Sequence, residues 1–258
     1  MPTPKIRARD FSEAIAGDHF DLLYQPVIDL SMRRITKAEA LIRWRHPALG
    51  YLGPDAFIAQ AESSGWIDAL GGWVLRRAIR DLGALRARHP DFELSVNVSP
   101  LQIESGSFSE AALREWFEAH GVNPSRLIVE ITEGVALKTS TSNRERLARV
   151  RAAGVKLAID DFGMGNSALT SLIDFPCDFI KLDQLFVRAA PEDRARQAIA
   201  RLIVAMAHEL GLQVIAEGVE TEVNLARVTS LGCDYGQGYY WHAPMPLGNL
   251  LAALDDRP

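Results

Sequence analysis

The sequence predicts a single α/β domain built as a (β/α)8 barrel, and two observations carry that expectation. A unit of amphipathic helix, glycine, short apolar strand and closing acid or amide recurs along the chain. Eight such strands are spread over 258 residues, the length that a barrel of this kind needs. A doubly wound open sheet would accommodate the same alternation, but it would not usually need as many strands. The 48% hydrophobic content suits one large core, and the glycines and prolines are scattered rather than gathered into a linker. We therefore expect an N-terminal extension over 1–10 and one domain over 11–258.

The elements follow in order. Apolar strands are expected at Leu22–Ile28 and Ile35–Leu41. A periodic helix over Trp73–Leu85 precedes the strand Glu93–Asn97, and a helix over Ala111–His120 ends at Gly121 before Arg126–Val129 and Glu130. Glu145–Ala153 places Leu147 and Val150 on one face; Gly154 stops it, and the strand Val155–Ile159 leads into Asp160. Further strands are expected at Asp178–Leu182 and Gly236–Trp241. Between them, the helix Ala198–Leu210 stops at Gly211 before Leu212–Ala216 and Glu217.

The residues closing the strands are Glu39, Asn97, Glu130, Asp160, Lys181 and Glu217. In a barrel they share the C-terminal rim, where active sites of this fold lie. The plainer alternative is that each acid caps the helix that follows it. Acids and an amide without histidine or thiolate suit Mg2+, Mn2+ or Ca2+, and no pair of the six histidines has zinc spacing. Asp160-Asp161 is the sharpest feature. Neighbours on a strand point to opposite faces, but at a strand end one carboxylate can face the axis while the next reaches sideways. Such a pair can serve two ions, which activate a water and stabilise the leaving oxygen of a phosphoester, with Lys181 offsetting negative charge. The D-F-G here lacks the companion motifs of a kinase. The G-x-G-x-x-A lacks a glycine directly after the strand, as a dinucleotide finger needs.

Bulk properties bound the rest. Thirty-three acidic against 28 basic residues give a net charge of −5, which argues against binding a nucleic-acid polymer. Cys177 and Cys233 lie in apolar surroundings and read as reduced packing residues of an intracellular protein. The N-terminus lacks the apolar stretch of a signal peptide, and Ala198–Ala207 is too short for membrane insertion. These features together lead us to expect a cytoplasmic protein.

Several motifs, in order, resemble the EAL-domain cyclic di-GMP phosphodiesterases. They are Tyr24-Gln25-Pro26, Glu39-Ala40-Leu41-Ile42-Arg43-Trp44, Val96-Asn97-Val98-Ser99, Glu130-Ile131-Thr132-Glu133 and Asp160-Asp161-Phe162-Gly163. Lys181-Leu182-Asp183, Ala216-Glu217-Gly218-Val219-Glu220 and Gln237-Gly238-Tyr239 complete them, so that the match runs from about Phe11 to Leu251. The resemblance implies a modified TIM (β/α)8 barrel whose first strand is antiparallel to the rest. It also implies hydrolysis of cyclic di-GMP to linear pGpG with two Mg2+ or Mn2+ ions and inhibition by Ca2+. By position, Glu39, Asn97, Glu130 and Asp160 resemble ligands of a first ion, and Asp160, Asp161 and Glu217 those of a second. Lys181 resembles the lysine that positions water. Gln25, Arg43, Asp183 and Gln237 resemble the residues contacting the dinucleotide; for Arg43 a guanidinium fork also suits a phosphate. Glu220 resembles a supporting glutamate, and Glu133 with Ser167 a loop anchor.

The chain departs from the family pattern in places. Met164, Asn166 and Ala168 replace a small residue, a tyrosine and a serine in the loop after the aspartates, and Gln184-Leu185 replaces Arg-Ser. In the family that loop and the following helix are linked to the expected homodimer and to ordering of the metals. The competing function is a non-catalytic cyclic di-GMP receptor or protein-interaction domain, which usually lacks a metal ligand. A metal-dependent barrel acting on another phosphoester is a third.

Overall fold

The computed structural model describes residues 6–136, 140–164, 172, 175–190 and 192–256. Among them, nine strands form one sheet: β1 (Phe20–Asp29), β2 (Arg34–His46), β3 (Gly50–Leu52), β4 (Glu93–Asn97), β5 (Leu127–Thr132), β6 (Lys156–Phe162), β7 (Phe179–Leu182), β8 (Gln213–Ala216) and β9 (Tyr235–Gln237). The helices around it are α1 (Ala8–Ala16), α2 (Ile58–Ser63), α3 (Ile67–Arg86), α4 (Pro100–Ser105), α5 (Glu110–His120), α6 (Glu133–Ala136), α7 (Thr141–Ala152), α8 (Gln184–Val187), α9 (Arg194–Glu209), α10 (Glu222–Leu231) and α11 (Leu247–Asp255). The β1–β2 pairing closes the sheet into an eight-stranded barrel, with β3 appended to β2 as a hairpin. The predicted α/β barrel is the observed fold.

β1 runs antiparallel to both neighbours, and the other barrel pairs are parallel. The cause is local. The Asp29 carboxylate accepts from the Ser31 and Met32 amides at 3.0 and 2.9 Å, and Arg33 turns the chain with φ +52°. A parallel neighbour needs a crossover of about a dozen residues or more, which the short segment 30–33 cannot supply.

Gly121, Gly154 and Gly211, expected as helix stops, all have positive φ. Gly236–Trp241 departs from expectation: the strand ends at Gln237 and a turn follows. Gly238 packs so closely on Val219 that a Cβ there would lie 2.0 Å from its carbonyl oxygen. The Tyr240 amide donates back to that oxygen at 2.9 Å, so residues with strand propensity are held in a turn. The strand expected at Ile35–Leu41 continues to His46, with Ile42 and Trp44 buried, Arg43 half-buried and Arg45 exposed, and its end pairs with Gly50–Leu52 in the β2–β3 hairpin.

The two-residue period of the strands layers the barrel interior. A middle layer of Val27, Ile128, Ala158, Phe179, Ile215 and Tyr235 forms a small apolar cluster of its own, apart from the larger core shared with the helices. Two residues along each of these strands stand Gln25, Glu130, Asp160, Lys181, Glu217 and Gln237 at the mouth. In the opposite direction lies a charged floor, where buried Glu93 is ion-paired with both Lys37 and Lys156. Lys37 Nζ lies 4.2 Å from the Tyr235 ring centroid, and Lys156 Nζ 5.6 Å from that of Phe179.

Cys177 and Cys233 are buried free thiols, and burial pushes each up to about 12, far from a reactive thiolate. Among the described residues no helix is long and apolar enough to cross a membrane.

Glu93→Ala would leave two ammonium groups against aromatic rings with no counter-charge. We expect a loss of about 3–5 kcal/mol, read as a lower Tm by differential scanning calorimetry. A shift below about 2 °C would contradict this account of the floor.

Candidate active site

The six strand-closing residues meet at the mouth, and Lys181 stands at their centre. Its ammonium, 1% exposed, lies 2.6 Å from Glu130, 2.7 Å from Glu217, 3.0 Å from Asp160 and 3.4 Å from Glu39. Burial opposes its charge, but the surrounding carboxylates, Asp160 foremost, hold its pKa well above the ordinary lysine value. None of the six caps a described helix: Ser99, Asp183 and Thr221 cap the helices after β4, β7 and β8. The helix-capping explanation therefore fits Asp183 and fails for the six.

Glu39 is fixed from two sides. Asn97 Nδ2 donates to one of its oxygens and Gln237 Nε2 to the other, each at 2.7 Å. Burial would raise its pKa, but Lys181, Gln237 and Asn97 more than offset that and hold it below the usual carboxylate value. Gln237 also donates to Gln25 Oε1 at 3.2 Å, while Gln25 Nε2 reaches the His242 carbonyl at 3.4 Å.

Both aspartates reach the site because the strand breaks its own alternation. The β6–β7 register shifts between Ile159 and Phe162, and Asp161 adopts a left-handed φ of +54°. Asp tolerates that region better than most residues. The bulge re-aims the second carboxylate, as bulges beside active sites do. One carboxylate oxygen from each of Asp160, Asp161 and Glu217 then lies within 4.8 Å of the others. Glu133 Oε2 accepts the Gly163 amide at 2.9 Å and ties down the turn that follows.

The donor chemistry fits a hard cation. Four carboxylates, Glu39, Glu130, Asp160 and Glu217, surround one ammonium, and a fifth, Asp161, stands beside Asp160 and Glu217. Burial, then the Glu39 charge, pushes Glu130 well above its ordinary value despite Lys181. Burial pushes Glu217 up to about 8, with Asp160 and Glu39 adding to it against the pull of Lys181. Asp161 is raised by burial and then by Asp160 and Asp183. The cluster holds more carboxyl groups than one ammonium can pair, and an all-oxygen donor set of this kind suits a hard divalent cation.

The remaining predicted residues divide. Asp183 is buried, caps α8 through the Leu185 amide at 2.7 Å and lines the mouth cavity. Glu220 also lines it and is ion-paired with Arg188 at 2.7 Å. Arg43 lies in β2 beyond Glu39 with its guanidinium turned onto the Ile42 carbonyl at 2.8 Å, apart from the residues lining that cavity. Met164 is exposed; Ser167, Asn166 and Ala168 lie outside the described residues. Sequence reasoning named Gln184 as a departure from the family and Tyr239 within a motif but gave neither a site role, and it missed Arg188; the three line the cavity from α8, its C-terminal cap and the turn after β9. No periodic signal marks them, since all three lie past the strand ends at Leu182 and Gln237, where the period of two no longer applies.

The mouth cavity measures about 270 Å³. A larger groove of about 640 Å³ lies between α5 and α7, but convergent titratable groups decide the site, and these are at the mouth.

A family model described as "EAL domain" matches residues 8–244. The cyclic di-GMP phosphodiesterase NbdA of Pseudomonas aeruginosa is 40% identical over 242 residues, covering 93% of this chain and 31% of that protein. The chain thus spans about a third of that relative's length. The solved structure "PaMucR Phosphodiesterase, c-di-GMP complex" superposes with a TM-score of 0.88 at 35% identity, covering 94% of this chain and 98% of that one. The FimX EAL domain of Xanthomonas citri in complex with c-diGMP gives 0.81 at 29% identity, covering 92% of each chain.

Calorimetric titration with Mn2+ is expected to detect binding that Asp161→Asn and Glu217→Gln each weaken by on the order of tenfold or more, since affinity follows ligand charge. Equal affinity in wild type and both variants would contradict the assignment of these oxygens.

Proposed function

The chain belongs to the EAL domain family, and on that premise we propose that it hydrolyses cyclic di-GMP to linear pGpG. The observation that carries this reading is the Lys181-centred carboxylate ring, with both Asp160 and Asp161 turned into it by the bulge of β6. Two divalent cations, Mg2+ or Mn2+, would activate the attacking water and stabilise the leaving oxygen, one held by Glu39, Asn97, Glu130 and Asp160, the other by Asp160, Asp161 and Glu217.

The chain's own residues do the rest. Lys181 stays protonated in the ring, so it can orient a water by donating to it and can offset negative charge building on the phosphate. Asn97 and Gln237 fix Glu39, which keeps that carboxylate in one orientation while the dinucleotide enters. Gln25 offers a donor, and Gln237 Oε1 and Asp183 offer acceptors, to the substrate at the cavity wall, and Arg43 would reach a phosphate from β2 by leaving the Ile42 carbonyl. Glu133, through the Gly163 amide, holds the turn that presents Asp161. Glu220 supports the opposite wall. We also propose a cytoplasmic homodimer and inhibition by Ca2+.

Incubation with cyclic di-GMP and Mg2+ or Mn2+ is expected to give pGpG by liquid chromatography, with Ca2+ suppressing it. Lys181→Ala should lower kcat by about 10²–10⁴-fold, the range for a positioned proton-handling side chain, and Glu39→Ala should abolish turnover. Tight nucleotide binding without product in either metal would favour the receptor reading. Absence of product with Glu39→Ala indistinguishable from wild type would remove the enzymatic one. A monomer at micromolar concentration in analytical ultracentrifugation would remove the dimer.

A further inference from the structure

Beyond the carboxylates, the mouth cavity extends to a second wall made by Gln184, Arg188, Gly218, Glu220 and Tyr239. The chemistry of the metal ligands does not require this wall. Arg188 is the one cationic side chain among the described residues that line the cavity. Its guanidinium is pinned along one edge: Nε donates to the Gly218 carbonyl at 3.2 Å and Nη2 to Glu220 at 2.7 Å. Gly218, at φ +68°, makes the room, since a Cβ there would lie 2.6 Å from Gln184 Cβ and 3.1 Å from Arg188 Nε. Arg188 therefore keeps a fixed plane, with the donors of its Nη1–Nη2 edge left for a ligand.

We propose that Arg188 reads the guanine of the bound cyclic dinucleotide, as a specificity-determining residue; this rests on the cyclic di-GMP reading above. Two ligand groups compete for such an edge, a phosphate and a base. Glu220 already balances the charge of Arg188, and Glu217 stands on the same cavity, so a phosphate would meet net negative surroundings. A neutral acceptor edge loses nothing from that balance. Guanine offers O6 and N7 side by side, which a guanidinium fork matches with two hydrogen bonds. Adenine presents an amino donor where guanine has O6, and two donors face to face are unfavourable. Tyr239, 65% exposed on the same wall, can stack any base and so adds affinity without choice.

The test compares cyclic di-GMP, cyclic di-AMP and bis(p-nitrophenyl) phosphate as substrates of wild type, Arg188→Ala and Arg188→Lys. Arg188→Ala should lower kcat/KM for cyclic di-GMP by roughly 5- to 150-fold, chiefly through KM. Cyclic di-AMP and the base-free phosphodiester should lose far less, so that preference for guanine collapses. Arg188→Lys should not restore it, because an ammonium has no fork. Equal loss on all three substrates, no loss on cyclic di-GMP, or full rescue by lysine would each overturn the proposal. If wild type gives no product, calorimetric binding decides separately. Guanine preference lost in Arg188→Ala keeps this inference while removing hydrolysis, whereas a wild type that binds both dinucleotides alike removes this inference.

Discussion

A closed barrel obliges every second residue of each strand to share one narrow interior, and charge placed there must be answered at short range because water cannot do it. This chain meets that constraint at both ends in opposite senses. At the mouth one ammonium, Lys181, stands among four carboxylates. At the floor one carboxylate, Glu93, stands between two ammonium groups. The apolar layer of Val27, Ile128, Ala158, Phe179, Ile215 and Tyr235 lies between the two and keeps each charge with its own partners. The floor closes on itself with aromatic faces that accept the excess positive charge. Among the described residues the mouth has no such compensation. Burial and like charges raise the pKa of Glu130, Asp161 and Glu217, the last to about 8, while Lys181 and its hydrogen-bond partners hold Glu39 low, and perturbation of this kind is what marks a functional site.

The same constraint decides what the sequence could disclose. Glu130, Asp160 and Lys181 were legible because each follows a buried apolar run at a strand's end, where the period of two and the barrel topology both fix its place. The antiparallel first strand came from resemblance, yet it has a local cause in the Asp29 turn, which is too short to cross over. Asp161 was only half legible. Strand alternation turns it away from Asp160, and it is the left-handed φ, not the alternation, that brings the two carboxylates together. The strand expected to run to Trp241 failed because contact between Gly238 and the Val219 backbone outweighs the strand propensity of tyrosine and tryptophan. Arg188 gave no signal, since its role depends on where the short helix α8 meets Gly218 and Glu220, a contact between segments distant in sequence.

The β6 bulge connects these observations. A left-handed aspartate costs backbone energy, and a second carboxylate brought beside Asp160 and Glu217 adds like-charge repulsion. Neither cost is recovered within the described mouth. The bond from Gly163 to Glu133 and the Asp161 amide donating to Asp160 Oδ1 at 3.1 Å hold the turn but leave the charges unanswered. Asp160, Asp161 and Glu217 are the residues that would hold a cation there, and its positive charge would relieve the repulsion between them. On the proposed function, bulge geometry and metal occupancy would be coupled: whatever stabilises the turn after Phe162 would also prepare the oxygens, and whatever loosens it would lower affinity for the ion. Met164, exposed at the end of that turn, sits where the chain departs from the pattern of its family, so on the proposed two-metal reading a change there would act through the left-handed conformation of Asp161 and not by altering the identity of any ligand.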